Sequence, residues 1–106
     1  MFTKSAASME WIPAGYEGAE RTVLRMSPEE GRIQLVRLKK GAHGKRHLHQ
    51  APEDVLVLSG KVAIGGHTLS AGDYLFTAEG EEHELIALED SVIYAATEKA
   101  VIVTGT

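Results

Sequence analysis

Short stretches rich in apolar and β-branched residues recur along most of this chain, and turns containing glycine separate them. Residues 32–39 and 53–58 are two such stretches, each ending close to a glycine turn. No window between Thr22 and Thr104 sustains the 3.6-residue period of a helix. Short strands with turns between them are typical of a β-sandwich or barrel. The pattern therefore predicts an all-β fold.

The individual strands follow from the same stretches. They are predicted at residues 22–26, 32–39, 46–50, 53–58, 61–64, 67–69, 74–77, 83–88, 91–96 and 100–104. Gly60 lies between two of them and predicts a hairpin turn, while residues 41–45 are predicted to be a glycine-containing connection. Residues 11–13 precede the strands and are expected to form an edge or a lid.

Length and composition narrow the class of protein. The chain has 106 residues, enough for one domain, which we expect at 11–106 after a flexible lead at 1–10. It has 11 basic and 15 acidic residues, a formal charge of −4, which argues against nucleic-acid binding. It has no cysteine, which excludes disulfides and thiolate metal sites. No apolar run is long enough for a membrane span or signal peptide, so we expect a cytoplasmic protein without a membrane partner.

Three candidate metal-binding residues lie within seven positions of one another, and a fourth follows later. Alternation in a strand places His47 and His49 on one face, and a bend at 50–52 would bring Glu53 back beside them. His83 opens a later strand. Three imidazoles and a carboxylate suit one divalent transition metal, and this set does not choose among Fe, Mn, Ni, Zn and Cu. An octahedral ion would keep two positions free for substrate, whereas a tetrahedral ion would keep none.

Two stretches of this sequence resemble the two motifs of the cupin superfamily. The first runs from Gly41 to Gly60, and the second from Gly72 through Gly80 to His83. The second stretch departs from the family pattern at two positions that are not ligands, where Ala78 replaces a proline and Ala87 replaces an asparagine. The resemblance implies a double-stranded β-helix, the cupin jelly-roll barrel, with His47, His49, Glu53 and His83 as the metal ligands.

The segment around Trp11, Ile12 and Pro13, with Gly15 and Gly18 after it, is similar to one branch of that superfamily. The branch includes the cupin domain of zinc-binding anti-sigma factors and dioxygenases that cleave β-diketones or hydroxyacetophenones. Those anti-sigma factors carry a separate zinc-binding helical domain, for which this chain has no room, so a direct anti-sigma role is not expected.

Two functions of different classes follow from the residues and the resemblance. The first is a metal-dependent dioxygenase acting on a small oxygenated organic molecule, with isomerisation or decarboxylation as redox-neutral alternatives at the same site. The second is a non-catalytic sensor module that binds a metal or a small ligand. A homodimer is expected in either case, because small barrels often hide exposed edge strands by pairing.

The remaining polar and aromatic residues are ambiguous at the level of sequence. Lys45 shares the parity of His47 and would be an anchor for an anionic substrate or a solvated residue of a turn. Gln34 would orient a ligand in the cavity or lie on the surface. Solvent exposure is expected for His43 and His67. The aromatic residues expected in the core or the barrel wall are Tyr74, Phe76 and Tyr94.

Overall fold

The computed structural model describes residues 1–105, and apart from one 3-10 turn at Ala6–Ser8 its regular structure is all strand. The strands are β1 (Ile12–Pro13), β2 (Ala19–Met26), β3 (Arg32–Leu38), β4 (His43–Leu48), β5 (Glu53–Ser59), β6 (Lys61–Ile64), β7 (His67–Ser70), β8 (Tyr74–Thr77), β9 (Glu82–Ala87), β10 (Ser91–Thr97) and β11 (Ile102–Val103). The all-β prediction is confirmed. Thr106, the last residue of the predicted domain, lies outside the described residues, and the division at residue 10 stays a prediction.

The strands form two antiparallel sheets. One has the order β1-β2-β3-β10-β5-β8 and the other the order β11-β4-β9-β6-β7. From β3 onward the chain passes back and forth between the sheets, so β4 and β9 each lie in the sheet opposite the strands that precede and follow them. This winding confirms the predicted double-stranded β-helix, a cupin-like jelly roll.

The core lies between the two sheets because side chains alternate along each strand. On β5, Val55 and Val57 are buried while Leu56 and Leu58 are exposed. The facing sheet contributes Val62, Ile64, Leu85 and Ala87 to the same buried cluster. Tyr74 and Phe76, which were expected in the core or the barrel wall, lie in the wall on the outer surface of β8, where they are 56% and 54% exposed.

β4 differs most from its predicted bounds. It begins at His43 rather than at residue 46, within the segment predicted to be a connection, and it ends at Leu48. Gly44 is buried inside this strand, under the ring of Tyr16. A Cβ atom at this position would lie only 3.2 Å from that ring. This glycine therefore makes room for a packed aromatic ring. In the sequence, glycine indicated a turn here and did not predict this packing role.

The first residues of the chain lie along the outside of the barrel. The ammonium group of Lys4 donates a hydrogen bond to the carbonyl oxygen of Val23, at 2.9 Å. β1 pairs with β2 at one end of the six-stranded sheet, as expected of an edge segment. Within residues 1–105, no helix has the length and apolar character needed to cross a membrane.

Candidate metal centre

Strand register brings three of the four predicted ligands, His47, Glu53 and His83, towards one place. His47 on β4 pairs directly with His83 on β9. Glu53 opens β5 in the other sheet, where its partners are Thr77 and Thr97. The strand expected to carry both His47 and His49 ends one residue before His49, so strand parity alone does not place this side chain.

The backbone of His49 is fixed by the loop between β8 and β9. Its amide donates to the carbonyl oxygen of Glu81 at 3.0 Å, and its carbonyl oxygen accepts from the amide of Gly80 at 2.8 Å. These two bonds continue the pairing of the two segments beyond the end of β4. They hold the His49 ring against the other histidines, at 1% exposure of the residue.

The four side chains form one compact group. One nitrogen or oxygen atom from each of them lies within 4.8 Å of the others. The ring centroids of His47, His49 and His83 are separated by 4.4 to 4.8 Å. Glu53 Oε1 lies 3.0 Å from His49 Nε2. Such a group is able to bind a metal ion, because its donors converge on one small space.

The Nδ1 atom of each histidine has a partner outside the group. Nδ1 of His47 donates to the carbonyl oxygen of Lys45 at 2.9 Å, and Nδ1 of His49 donates to that of Glu81 at 3.0 Å. Nδ1 of His83 lies 3.5 Å from Thr77 Oγ1. A ring held through Nδ1 presents Nε2 as the remaining donor, which is the usual arrangement of a metal-binding histidine.

The protonation of two histidines reflects their crowding. Burial, followed by the charges of His49 and His47, lowers the pKa of His83 to about 3. Burial also acts to lower the pKa of His49, but the hydrogen bond and charge of Glu53, with a contribution from Glu81, raise it overall. His83 is therefore neutral and ready to donate its lone pair, whereas a metal ion would displace a proton from His49.

The donor chemistry fits a divalent transition metal. Imidazole nitrogen suits Zn, Cu, Fe and Ni, and a carboxylate oxygen adds tolerance for Mn. The hydrogen bonds at Nδ1 supply the outer support that such ions require. The identity of the ion does not follow from this set.

A cavity of about 320 Å³ adjoins the candidate centre. His47, Glu53 and His83 line it, and so do the polar residues Gln34 and Lys45. Of the two positions left open for Gln34, the structure has the one that faces the cavity. By contrast, His67 is exposed and His43 pairs with Glu84 at 2.9 Å on the surface.

Four further polar residues of the cavity were missed in the sequence. They are Tyr16, Arg21, Arg32 and Thr97. Arg32 has the parity of Gln34 and of the buried Val36, so the alternation along β3 was a usable signal for it. Arg21 offered no such signal, because its inward position depends on the register of β2 with β3.

Comparisons with known proteins identify a cupin-like domain. A family model described as the ChrR cupin-like domain matches residues 1–102. No curated protein sequence matches the chain. Several solved structures share its fold.

Two of these structures concern acetylacetone dioxygenases. A candidate enzyme of this kind from Methylibium petroleiphilum has a TM-score of 0.89 at 17% identity, covering 98% of this chain and 81% of its own. The acetylacetone dioxygenase of Acinetobacter johnsonii has a TM-score of 0.77 at 20% identity, covering 92% and 72%. At these identities the likeness shows the fold alone.

The third structure is a complex of SigE with the anti-sigma factor ChrR from Rhodobacter sphaeroides. Its TM-score is 0.75 at 25% identity, with 88% of this chain and 50% of that chain covered.

Proposed function

The chain belongs to the ChrR cupin-like domain family, and from that premise we propose a metal-dependent enzyme that acts on a small oxygenated organic molecule. His47, His49, Glu53 and His83 would hold one divalent transition metal. The reaction that the site supports best is oxidation by dioxygen with iron as the ion. A redox-neutral isomerisation or decarboxylation would use the same residues.

One observation carries this proposal: the candidate donors open onto a cavity. His47, Glu53 and His83 all line the space of about 320 Å³, so a bound molecule would touch an ion held there. A purely structural site would be closed by protein on every side. The volume lies at the lower end of the range for small-molecule pockets, about 300–1,000 Å³.

The residues of the chain supply binding, orientation and a dry environment. Val55, Leu85 and Ile93 line the cavity with apolar surface, which excludes water and strengthens electrostatic contacts inside. Glu53 accepts a hydrogen bond from His49, and its carboxylate is also the group best placed to take a proton. When bound, a divalent ion supplies Lewis-acid activation of substrate oxygens and, in the case of iron, the redox chemistry of dioxygen.

The protein is first loaded with iron in the absence of oxygen. In aerated buffer it is then expected to consume oxygen when a β-diketone such as acetylacetone is added. The measurement is oxygen uptake with an electrode, followed by product analysis. Zinc-loaded protein is the control, because zinc has no redox chemistry. No uptake by the iron-loaded protein across a panel of diketones and hydroxyacetophenones would contradict the enzyme proposal.

The second candidate function is a sensing or binding module, which the family match and the likeness to ChrR favour. In that case the ion is structural, or a small ligand occupies the cavity without turnover. Three results together would favour this function over the enzyme. They are full occupancy of the site by zinc, a tetrahedral absorption spectrum of the cobalt-substituted protein, and no turnover.

We also propose that the protein forms a homodimer and is located in the cytoplasm. β8 is the last strand of its sheet, and its outer face, with that of β5, exposes large apolar side chains at Leu56, Leu58, Tyr74 and Phe76. An apolar face beside a free strand edge favours pairing of two copies.

Phe76→Asp is expected to shift the protein from dimer to monomer, because a charge on this apolar face cannot be buried without a partner. The measurement is light scattering after size exclusion. Phe2→Asp, at an exposed position on the N-terminal segment, is the control and should leave the mass unchanged. A monomeric parent protein would contradict the dimer.

A further inference from the structure

The wall of the cavity across from the candidate metal centre contains polar atoms without partners. Arg21 on β2 and Gln34 on β3 both line the cavity. The Nε atom of Arg21 and the Oε1 atom of Gln34 are buried and have no hydrogen-bond partner among the residues that the structure describes. A buried polar group left unpaired loses its hydration without compensation, so two such groups facing one cavity indicate a missing partner.

The strand register places these two side chains next to each other. Arg21 pairs with Val36, and Gln34 lies two residues before Val36 on the same face. They are therefore diagonal neighbours in an antiparallel pair, with Cα atoms about 7–8 Å apart. A single small group of a ligand is able to contact both.

Arginine and lysine side chains outnumber acidic ones around the cavity. Arg21, Arg32 and Lys45 line it, and Glu53 is the one acidic lining residue. Between residues 1 and 105, no carboxylate lies within 4.0 Å of a charged nitrogen of Arg21 or Arg32. Burial, and next the charge of Arg32, lowers the pKa of Arg21, against a smaller opposing effect of Tyr16.

Another polar contact orients the Arg21 side chain. Its Nη2 atom donates to the carbonyl oxygen of Ala14 at 2.8 Å. This bond ties the guanidinium to the segment after β1 and leaves Nε as a fixed donor. A guanidinium presents its donors in a rigid plane that matches a carboxylate.

The space between this wall and the metal centre is kept open by a small residue. Ala95 on β10 is buried, and its partners on the neighbouring strands are Gln34 and Val55. Val55 lies two strands away from Gln34, and Glu53 is the next inward residue along β5, which places the Cα atoms of Gln34 and Glu53 roughly 12 Å apart. A molecule of several carbon atoms would span this distance above the alanine.

We infer that Arg21, with Gln34 and Arg32 beside it, binds the carboxylate of a small oxo- or hydroxy-acid whose other oxygens lie at the metal centre. This inference rests on the proposed function for the placement of those other oxygens. The preference for an anion rests on the arginines alone. It narrows the substrate class from any small oxygenated molecule to an organic anion.

The test compares two ligands that differ in one charge. 4,6-Dioxoheptanoate and 2,4-heptanedione are both β-diketones of seven carbon atoms, and only the first carries a carboxylate. Binding to zinc-loaded protein is measured by calorimetry, which avoids turnover. The carboxylate is expected to bind about tenfold to a hundredfold more tightly, as for a charge-assisted hydrogen bond.

Arg21→Gln is expected to remove this advantage while changing the affinity for 2,4-heptanedione by less than about twofold. Arg25→Gln alters an exposed arginine of the same strand and should leave both affinities unchanged. Since Arg21 also holds Ala14, thermal unfolding checks that the variant folds. If it does not fold, Arg32→Gln decides, and it should lower the affinity for the carboxylate alone.

Equal affinities for the two ligands in the parent protein would overturn the inference, as would no detectable binding of the carboxylate. An equal loss for both ligands in a folded Arg21→Gln variant would overturn it too. Failure of the enzyme proposal is distinguishable from these results. Tight, Arg21-dependent binding of the carboxylate without oxygen uptake by iron-loaded protein supports the anion site and contradicts the enzyme.

Discussion

His49→Ala is expected to abolish binding of a divalent metal and to remove the rise in melting temperature that the metal produces. His49 is the most buried of the four candidate ligands, and its ring is fixed from both sides by Glu81 and Glu53. An ion that binds only the folded state at a concentration of 100 Kd stabilises it by about 2.7 kcal/mol. Without His49 this contribution disappears.

The measurement compares metal content by elemental analysis, and melting temperature with and without added metal. Both comparisons are needed, because removing a buried ring also leaves a void that lowers the stability of the metal-free protein. His67→Ala is the control, since His67 is exposed at the start of β7. Equal metal content in the His49→Ala variant and the parent protein would overturn the assignment of this residue as a ligand.

Gly60→Ala is expected to destabilise the protein by roughly 3 kcal/mol or more, among the larger losses seen for single substitutions. Gly60 has φ +82, and a Cβ atom there would lie 2.2 Å from the carbonyl oxygen of Asp90 and 2.3 Å from Ser91 Oγ. Ser91 Oγ accepts a hydrogen bond from the amide of Lys61 at 2.9 Å. The added methyl group therefore displaces the contact that joins the β5–β6 turn to β10.

Gly66→Ala is a matched control for this substitution. Gly66 has the same φ of +82, but a Cβ atom there would meet nothing within 4 Å. The free energy of unfolding of this variant is expected to fall only by the cost of placing alanine in a left-handed backbone, about 1–2 kcal/mol. Urea unfolding of the two variants measures the difference. Equal losses would show that backbone conformation alone, and not the contact with Asp90 and Ser91, makes glycine necessary at position 60.

Most of the strands and the inward positions of Glu53 and His83 followed from local sequence. Alternation along β5 and β9 sets which side chains face inward. It correctly placed Glu53 on the same face as Val55, and His83 on the same face as Leu85. The turn at Gly60 was equally local. Whether the four residues bind a metal stays a prediction, which the His49→Ala experiment tests.

Several features could not be predicted because they depend on residues far apart in the chain. Gly44 packs against the ring of Tyr16, and the position of His49 depends on Glu81. Tyr74 and Phe76 were expected in the core or the barrel wall, and the packing of the two sheets placed them on the outer face of the wall, on the edge strand β8.

The sequence by itself determined an all-β chain and a cluster of candidate ligands, because period-two alternation and glycine turns act over a few residues. The tertiary structure decided what surrounds that cluster. Arg21 reaches the cavity only through the register of β2 with β3, and the cavity stays open because Ala95 lies between Gln34 and Val55. Both are consequences of strand pairing across long stretches of chain, which no local pattern specifies.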